Sequence, residues 1–296
     1  MYEPLLMLQD LRLSLPDVFT DAAVLISSPL FHIALPLAFA TFFLWCVDRR
    51  QGEWMMMNIV TGMFVSHFMK DIIKNPRPWI ADERIAPEER ALEHASGYST
   101  PSGHSVDAVT GYGSLMMLLK RKWSTMVFGT LMILMVFSRL FLGVHTILDV
   151  LLGALVAIAV MAVNWILIRK AYDGHNLQVT AVYMLSFITV CTIWVLIADD
   201  LNGLMTYAGV MLGSIIGRHI ENESIEFKAV SDSKSRKILS LAIGWSLTTI
   251  MFLVPYVLLG KDAGYCIGGF LAGLCIFTMV PIILKRIKLS GEFSLS

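Results

Sequence analysis

The sequence predicts an all-α polytopic membrane protein with about nine transmembrane helices. Three observations carry this expectation. The 296-residue chain is 56% hydrophobic, with a mean hydropathy of +0.68, well above a typical soluble domain. Its apolar residues collect into runs that match the roughly 20 helical residues needed to cross a bilayer. Those runs close on short charged clusters.

Taken in order, residues 1–20 mix Leu5, Leu6, Leu8, Leu11, Leu13 and Leu15 with Glu3, Asp10, Arg12 and Asp17. That is too polar to span and suits an interfacial amphipathic segment. Met1-Tyr2-Glu3-Pro4 lacks a basic n-region, so no cleaved signal peptide is expected. Spans follow at about 21–47, 53–73, 103–119, 123–141, 145–168, 178–198, 203–219, 238–259 and 263–284. A polar stretch with Pro76, Pro78, Pro87 and Pro101 separates the second from the third. A loop at about 220–237 precedes the eighth. Residues 21–170 read as a catalytic transmembrane core and 171–296 as C-terminal helices. Cys46, Cys191, Cys266 and Cys275 show no metal-ligand spacing and read as small core residues without disulfides.

Charge distribution sets an orientation. Arg49-Arg50, Lys120-Arg121-Lys122, Arg169-Lys170 and Lys285-Arg286 all fall at span ends on one side. The positive-inside rule makes that side cytoplasmic, with the N-terminus outside and the C-terminus inside. Net charge is zero, and nucleic acid is not an expected partner. Membrane lipids are.

This topology gathers three polar clusters at the outer face. One is Lys70 to Pro78, the second Pro101-Ser102-Gly103-His104, the third Ser138 to Asp149. Ionisable groups at a membrane border need a reason to be there. If the segment after Gly143 is helical, His145 and Asp149 share a face at i and i+4. The carboxylate could then hold one imidazole nitrogen and leave the other free to attack. Lys70, Arg77 and Arg139 supply cations for an oxyanion, Arg as a planar fork and Lys as a point charge. Ser102 stands at the N-cap of the third span, Gly103 permits close backbone approach, and the helix start offers free N–H groups. His104 lies in that first turn without a carboxylate partner. Two histidines in unlike surroundings suggest a nucleophile and a general acid. The cations would repel a bound metal.

Lys70-x6-Arg77-Pro78, Pro101-Ser102-Gly103-His104 and Ser138-Arg139-x5-His145-x3-Asp149 resemble the three signature motifs of the type 2 phosphatidic acid phosphatase (PAP2) superfamily. The resemblance covers roughly residues 54–165. It implies a helical-bundle core and a metal-independent phosphatase with no cofactor, acting on a lipid phosphate or polyprenyl (pyro)phosphate. By that resemblance His145 attacks phosphorus to form a phosphohistidine, Asp149 orients it, and His104 protonates the leaving oxygen. Lys70, Arg77, Ser102, Gly103 and Arg139 hold the phosphoryl oxygens.

Two other readings stay open. A phosphatase or phosphotransferase for small soluble phosphates fits a layout similar to the glucose-6-phosphatase catalytic subunit. A transporter would place its charges mid-span, whereas these cluster at one end. Gly209, Gly213 and Gly217 form a stripe for close packing, within the chain or at a dimer face. Asp107 lines the cavity or tunes His104. His67 reads as a buried polar contact, while His32 and His94 carry no assigned role. Trp54 and Trp79 read as interfacial anchors. Residues 80–99 read as a solvated acidic helix, or as a lid that sorts substrates.

Overall fold

The computed structural model describes residues 2–95, 97–199, 201–229 and 233–289; residues 230–232 of the expected 220–237 loop lie outside it. The described residues contain helices and no strand. They are α1 (Glu3–Ser14), α2 (Asp17–Ile26), α3 (Leu35–Cys46), α4 (Arg49–Ile73), α5 (Pro78–Ala81), α6 (Glu89–Leu92), α7 (Gly103–Ala108), α8 (Ser114–Leu119), α9 (Lys122–Phe141), α10 (Ile147–Lys170), α11 (Asn176–Ile197), α12 (Asn202–Ile220), α13 (Lys234–Leu259), α14 (Lys261–Phe277) and α15 (Met279–Arg286).

Among the described residues helix occupies most of each expected run, but the count of nine spans is not confirmed. Five stretches are long and apolar enough to cross a membrane: Asp17–Cys46, Lys122–Phe141, Ile147–Ile197, Lys234–Leu259 and Ala263–Arg286. The 51-residue stretch is broken at Gly174, whose φ of 94° ends one helix and starts another. Helices α4, α7–α8 and α12 mix apolar residues with polar ones, among them Glu53, Lys70, Asp107 and Arg218. The chain divides into two compact units, Met1–Leu37 with Val65–Met161, and Ala38–Phe64 with Ala162–Ser296.

The first unit holds all eight candidate site residues. Its first span is not one straight helix. Ser27, Ser28 and Pro29 interrupt it, and a wide turn at Leu30–Ala34 restarts it, because Pro29 has no N–H for the helical ladder. Helix α1 is docked on protein rather than lying free. The Arg12 guanidinium is buried and donates to the carbonyls of Ala86 and Phe141, while Gln9 bonds Arg84 and Ala86. The acidic segment 80–99 is mostly irregular, with single turns at α5 and α6. Arg84 pairs there with Asp82 and Glu3, and Arg90 with Glu88 and Asp21. These exposed pairs are each worth little, but together they tie the segment to α1 and α2. Beneath it Ala23, Ala91, Ala95, Phe141, Leu142 and Val144 form a small core that includes Trp79. Outward, α10 presents Leu151, Leu155 and Ile158 as an exposed apolar stripe, a surface suited to lipid rather than water.

In the second unit, α12 packs on α14 through glycine. A Cβ at Gly209 would lie 2.0 Å from the Cys266 carbonyl oxygen, and one at Gly213 would lie 2.1 Å from that of Phe270. The stripe is thus a packing surface within the chain. Trp54 is buried edge-on against Trp165 and is not an exposed anchor. Arg49, from a basic cluster at a span end, is partly buried and pairs with Glu221 at 2.9 Å, while Arg218 is fully buried and pairs with Glu53 at 3.0 Å. Tyr172, Asn176, Thr180 and Asn222 add further hydrogen bonds to these pairs. Burial of a charge demands such partners. The four cysteines are free thiols.

Candidate active site

His145 lies in the turn between α9 and α10, not on a helix. The turn is sharp because Gly143 adopts φ +74°, where a side chain is strained and where its Cβ would press on Pro87 Cα at 3.3 Å. Helix α10 begins only at Ile147, and Thr146 caps it: the Thr146 N–H donates to Asp149 Oδ2 at 2.7 Å, and the Asp149 N–H donates to Thr146 Oγ1 at 3.3 Å. The i,i+4 proximity of His145 and Asp149 therefore comes from a turn and a capping box. Their closest approach is 3.7 Å, longer than the direct hydrogen bond expected.

Asp149 is fully buried and heavily bonded. Besides the Thr146 N–H, Ser99 Oγ donates to Oδ2 at 2.7 Å and Thr100 Oγ1 donates to Oδ1. Ser99 Oγ also lies 3.5 Å from His145 Nδ1. Asn75 holds this pair in place, donating to Thr100 Oγ1 and accepting from the Ser99 N–H. Three donors on one carboxylate favour its ionised form. Ser99, Thr100 and Asn75 were not picked out from the sequence. Their only signal was a polar run flanking the motifs.

Arg77 reaches His145 directly. Its Nη1 lies 3.1 Å from His145 Nε2, and it also donates to the carbonyls of Val144 and Gly97. Burial pushes the Arg77 guanidinium down to about 10, with Asp149 pulling it up, so it is charged at neutral pH. A guanidinium only donates. Nε2 of His145 must therefore present a lone pair, which puts the ring proton on Nδ1, toward Asp149 and Ser99.

Arg139 closes α9 with no exposed surface, and none of its three guanidinium nitrogens has a partner among the described residues. Ser102 stands at the N-cap as expected, but its hydroxyl caps nothing; its Oγ is buried and unpartnered too. A buried donor set without acceptors costs several kcal/mol unless an anion meets it. The backbone joins these elements: Ser102 N–H donates to the Asp149 carbonyl at 3.0 Å, and Val144 N–H to that of Arg139 at 3.1 Å. Lys70, on the last turn of α4, is 8% exposed and within electrostatic reach of Arg77, Arg139, Asp149 and Asp107. At Gly103 a Cβ would meet only Ser66 Oγ at 3.8 Å and His67 at 4.0 Å. Protein packing alone does not demand glycine there, and His67 is placed beside the site.

Close approach is demanded one turn beyond Asp149. A Cβ on Gly153 would sit 2.7 Å from the Ser102 carbonyl oxygen and 3.0 Å from Ser105 Cβ. Gly153→Val is expected to displace the start of α7 and cost about 1–3 kcal/mol. A thermal melt in detergent would read the loss, alongside reduced turnover.

His104 is buried, with Nε2 3.1 Å from the Ser27 carbonyl, and its ring lies tilted against His32 at 4.1 Å between centroids. The sequence reading gave His32 no role.

Residues 51–173 match the family model described as the PAP2 superfamily. The chain is 28% identical over 148 residues to sphingosine-1-phosphate phosphatase 1 of Rattus norvegicus, covering 47% of this chain and 33% of that one. It is 24% identical over 166 residues to lipid phosphate phosphatase delta of Arabidopsis thaliana, covering 52% and 38%. It is 32% identical over 114 residues to phosphatidylglycerophosphatase B of Bacillus subtilis (strain 168), covering 36% and 53%. The match thus spans about a third of the first two relatives and half of the third. No solved structure matches the chain.

Proposed function

We infer that this chain, whose residues 51–173 belong to the PAP2 superfamily, is an integral-membrane phosphatase that hydrolyses a lipid phosphate through a phosphohistidine. The observation that carries the reading is a single buried cluster. It holds an imidazole lone pair against Arg77, an ionised Asp149 behind it, and the unpartnered donors of Arg139 and Ser102. A tetrahedral dianion satisfies all of these at once.

In the proposed reaction the phosphoryl oxygens take up Arg139, Ser102, Lys70 and the N–H groups from Gly103 onward. Arg77 transfers from His145 Nε2 to the phosphate and thereby uncovers the nucleophile. Nε2 bonds to phosphorus as the P–O bond to the leaving group breaks. Charge that develops on His145 is balanced by Asp149, whose approach tightens from 3.7 Å. Protonated His104 gives its proton to the leaving oxygen. Neutral His104 then takes a proton from water, whose oxygen displaces His145 from phosphorus. Inorganic phosphate leaves, and both histidines return to their first state.

An apolar groove favours a lipid. A cavity of about 220 Å³ is lined by Leu11, Leu15, Phe19 and Ile26 on one side and Leu134, Phe137 and Phe141 on the other. Ser138 also lines it, and Arg139 is the next residue along the chain. A hydrocarbon tail in the groove would leave its phosphate beside that guanidinium. Sidedness follows from helix length. Helix α9 runs from Lys122 to the site at its far end, and α10 from the site to Arg169-Lys170, about 30 Å and about 36 Å long. Basic clusters on the cytoplasmic side put the site and the N-terminus on the other.

The test is phosphate release from detergent-solubilised protein with chelator present. The panel comprises phosphatidic acid, phosphatidylglycerol phosphate, a sphingoid phosphate, undecaprenyl pyrophosphate and glucose 6-phosphate. A lipid monophosphate is expected to exceed glucose 6-phosphate by tenfold or more in kcat/KM. Preference for the sugar phosphate would transfer the reading to a small soluble substrate, and loss of activity with chelator would end the metal-free mechanism.

A further inference from the structure

Residues 27–32 lie outside the segment that matches the family, yet they surround the general acid. The Ser27 carbonyl faces His104 Nε2 at 3.1 Å, and a carbonyl can only accept. Nε2 of His104 therefore carries a proton in both of its charge states, and Nδ1 is the nitrogen that gains and loses one. On the face of that ring lies His32, with centroids 4.1 Å apart and planes tilted by 36°. The His32 Nδ1 is 2.9 Å from the Ser28 carbonyl, so its proton too is fixed by an acceptor. Its own placement is rigid. Tyr112 donates to the Phe31 carbonyl at 2.6 Å, and Gly111 admits Pro36 where a Cβ would lie 2.7 Å from Pro36 Cβ. His32 is 7% exposed. The charged and titratable groups around the pair are Arg139, acting on both rings, with His145 near His104 and His94 at 6.5 Å from His32.

We propose that His32 is a positioning residue for the reaction, its tilted ring packed against the His104 ring so that Nε2 stays on the Ser27 carbonyl and Nδ1 faces the leaving oxygen. This rests on the phosphatase reading. The Nδ1–H bond of protonated His104 breaks as the P–O bond of the substrate breaks, and the proton forms the O–H bond of the departing alcohol. The ring behind His104 limits how its imidazole can turn. His32 never touches substrate. Its effect is confined to the step in which a leaving group needs a proton.

Leaving-group dependence separates this role from a merely structural one. p-Nitrophenolate departs without protonation, whereas an alkyl alcohol does not. With purified protein, His104→Asn is expected to lose at least a hundredfold in kcat on a short-chain phosphatidic acid and far less on p-nitrophenyl phosphate. His32→Ala is expected to follow the same pattern, with at least a tenfold larger loss of kcat on the alkyl substrate and KM unchanged. His32→Phe, which keeps an aromatic face, is expected to recover most of it. Equal losses on both substrates, or none, would overturn the proposal. ¹⁵N NMR of histidine-labelled protein reads the tautomer without turnover. An Nε2–H tautomer at His104 that is lost in His32→Ala and regained in His32→Phe supports the proposal. An Nδ1–H tautomer in the parent protein, or no change on substitution, refutes it. Should the parent protein hydrolyse neither substrate, the phosphatase reading falls, while the tautomer result still decides what His32 does.

Discussion

Replacing His145 with alanine is expected to lower phosphate release by at least about three orders of magnitude, because it removes the atom that accepts the phosphoryl group. The geometry makes the expectation specific. Nε2 of His145 is the lone-pair nitrogen, held by Arg77 at 3.1 Å, and the opposite nitrogen faces Asp149 at 3.7 Å. A quenched sample of the parent protein, taken during turnover of ³²P-labelled lipid phosphate, should carry label that is acid-labile and stable to base, as a phosphoramidate is. The His145→Ala protein should carry none. Fully retained labelling in that variant would place the nucleophile elsewhere.

The second large effect concerns Arg139, and its sign differs between stability and activity. Arg139 has no exposed surface, and its three nitrogens lack partners. Arg77 and Lys70 lie within electrostatic reach. An uncompensated buried cation among other cations destabilises the empty protein. Arg139→Met fills a similar volume without charge. It is expected to raise stability by about 1–4 kcal/mol, read as a melting temperature a few degrees higher. The same variant is expected to lose catalysis by two orders of magnitude or more, since a transition-state dianion loses a buried donor. Orthovanadate or phosphate supplies the control. At a hundred times its dissociation constant, either anion should stabilise the parent protein by about 2.7 kcal/mol and the variant far less, so the order of the two melts reverses. A less stable Arg139→Met protein that still binds vanadate would show that the guanidinium serves packing instead.

Much of the site was legible in the sequence for a physical reason. Charged residues beside apolar runs are costly, so Lys70, Arg77, Arg139, His145 and Asp149 stood out without coordinates, and the structure buries all five together. Helix placement was legible too, because runs of apolar residues between basic clusters admit few other solutions in a bilayer. Roles that depend on the backbone were not legible. Ser99, Thr100 and Asn75 are ordinary turn residues until a carboxylate arrives from a helix 50 residues away. Gly153 looked like any small residue in an apolar helix, and only the approach of the Ser102 carbonyl makes it necessary. Arg49 looked like one more basic residue at a span end because its acidic partner, Glu221, lies far along the chain.

The sequence by itself determined that this chain is helical, that it suits a membrane, and which ionisable side chains stand beside its apolar runs, since composition and local spacing settle hydrophobic burial and residue type. Only the tertiary structure decided which group each imidazole nitrogen faces, which donors stand without acceptors among the described residues, and that the His32 ring lies against that of His104. Those are properties of distance and direction between atoms of different elements, and one-dimensional order does not contain them.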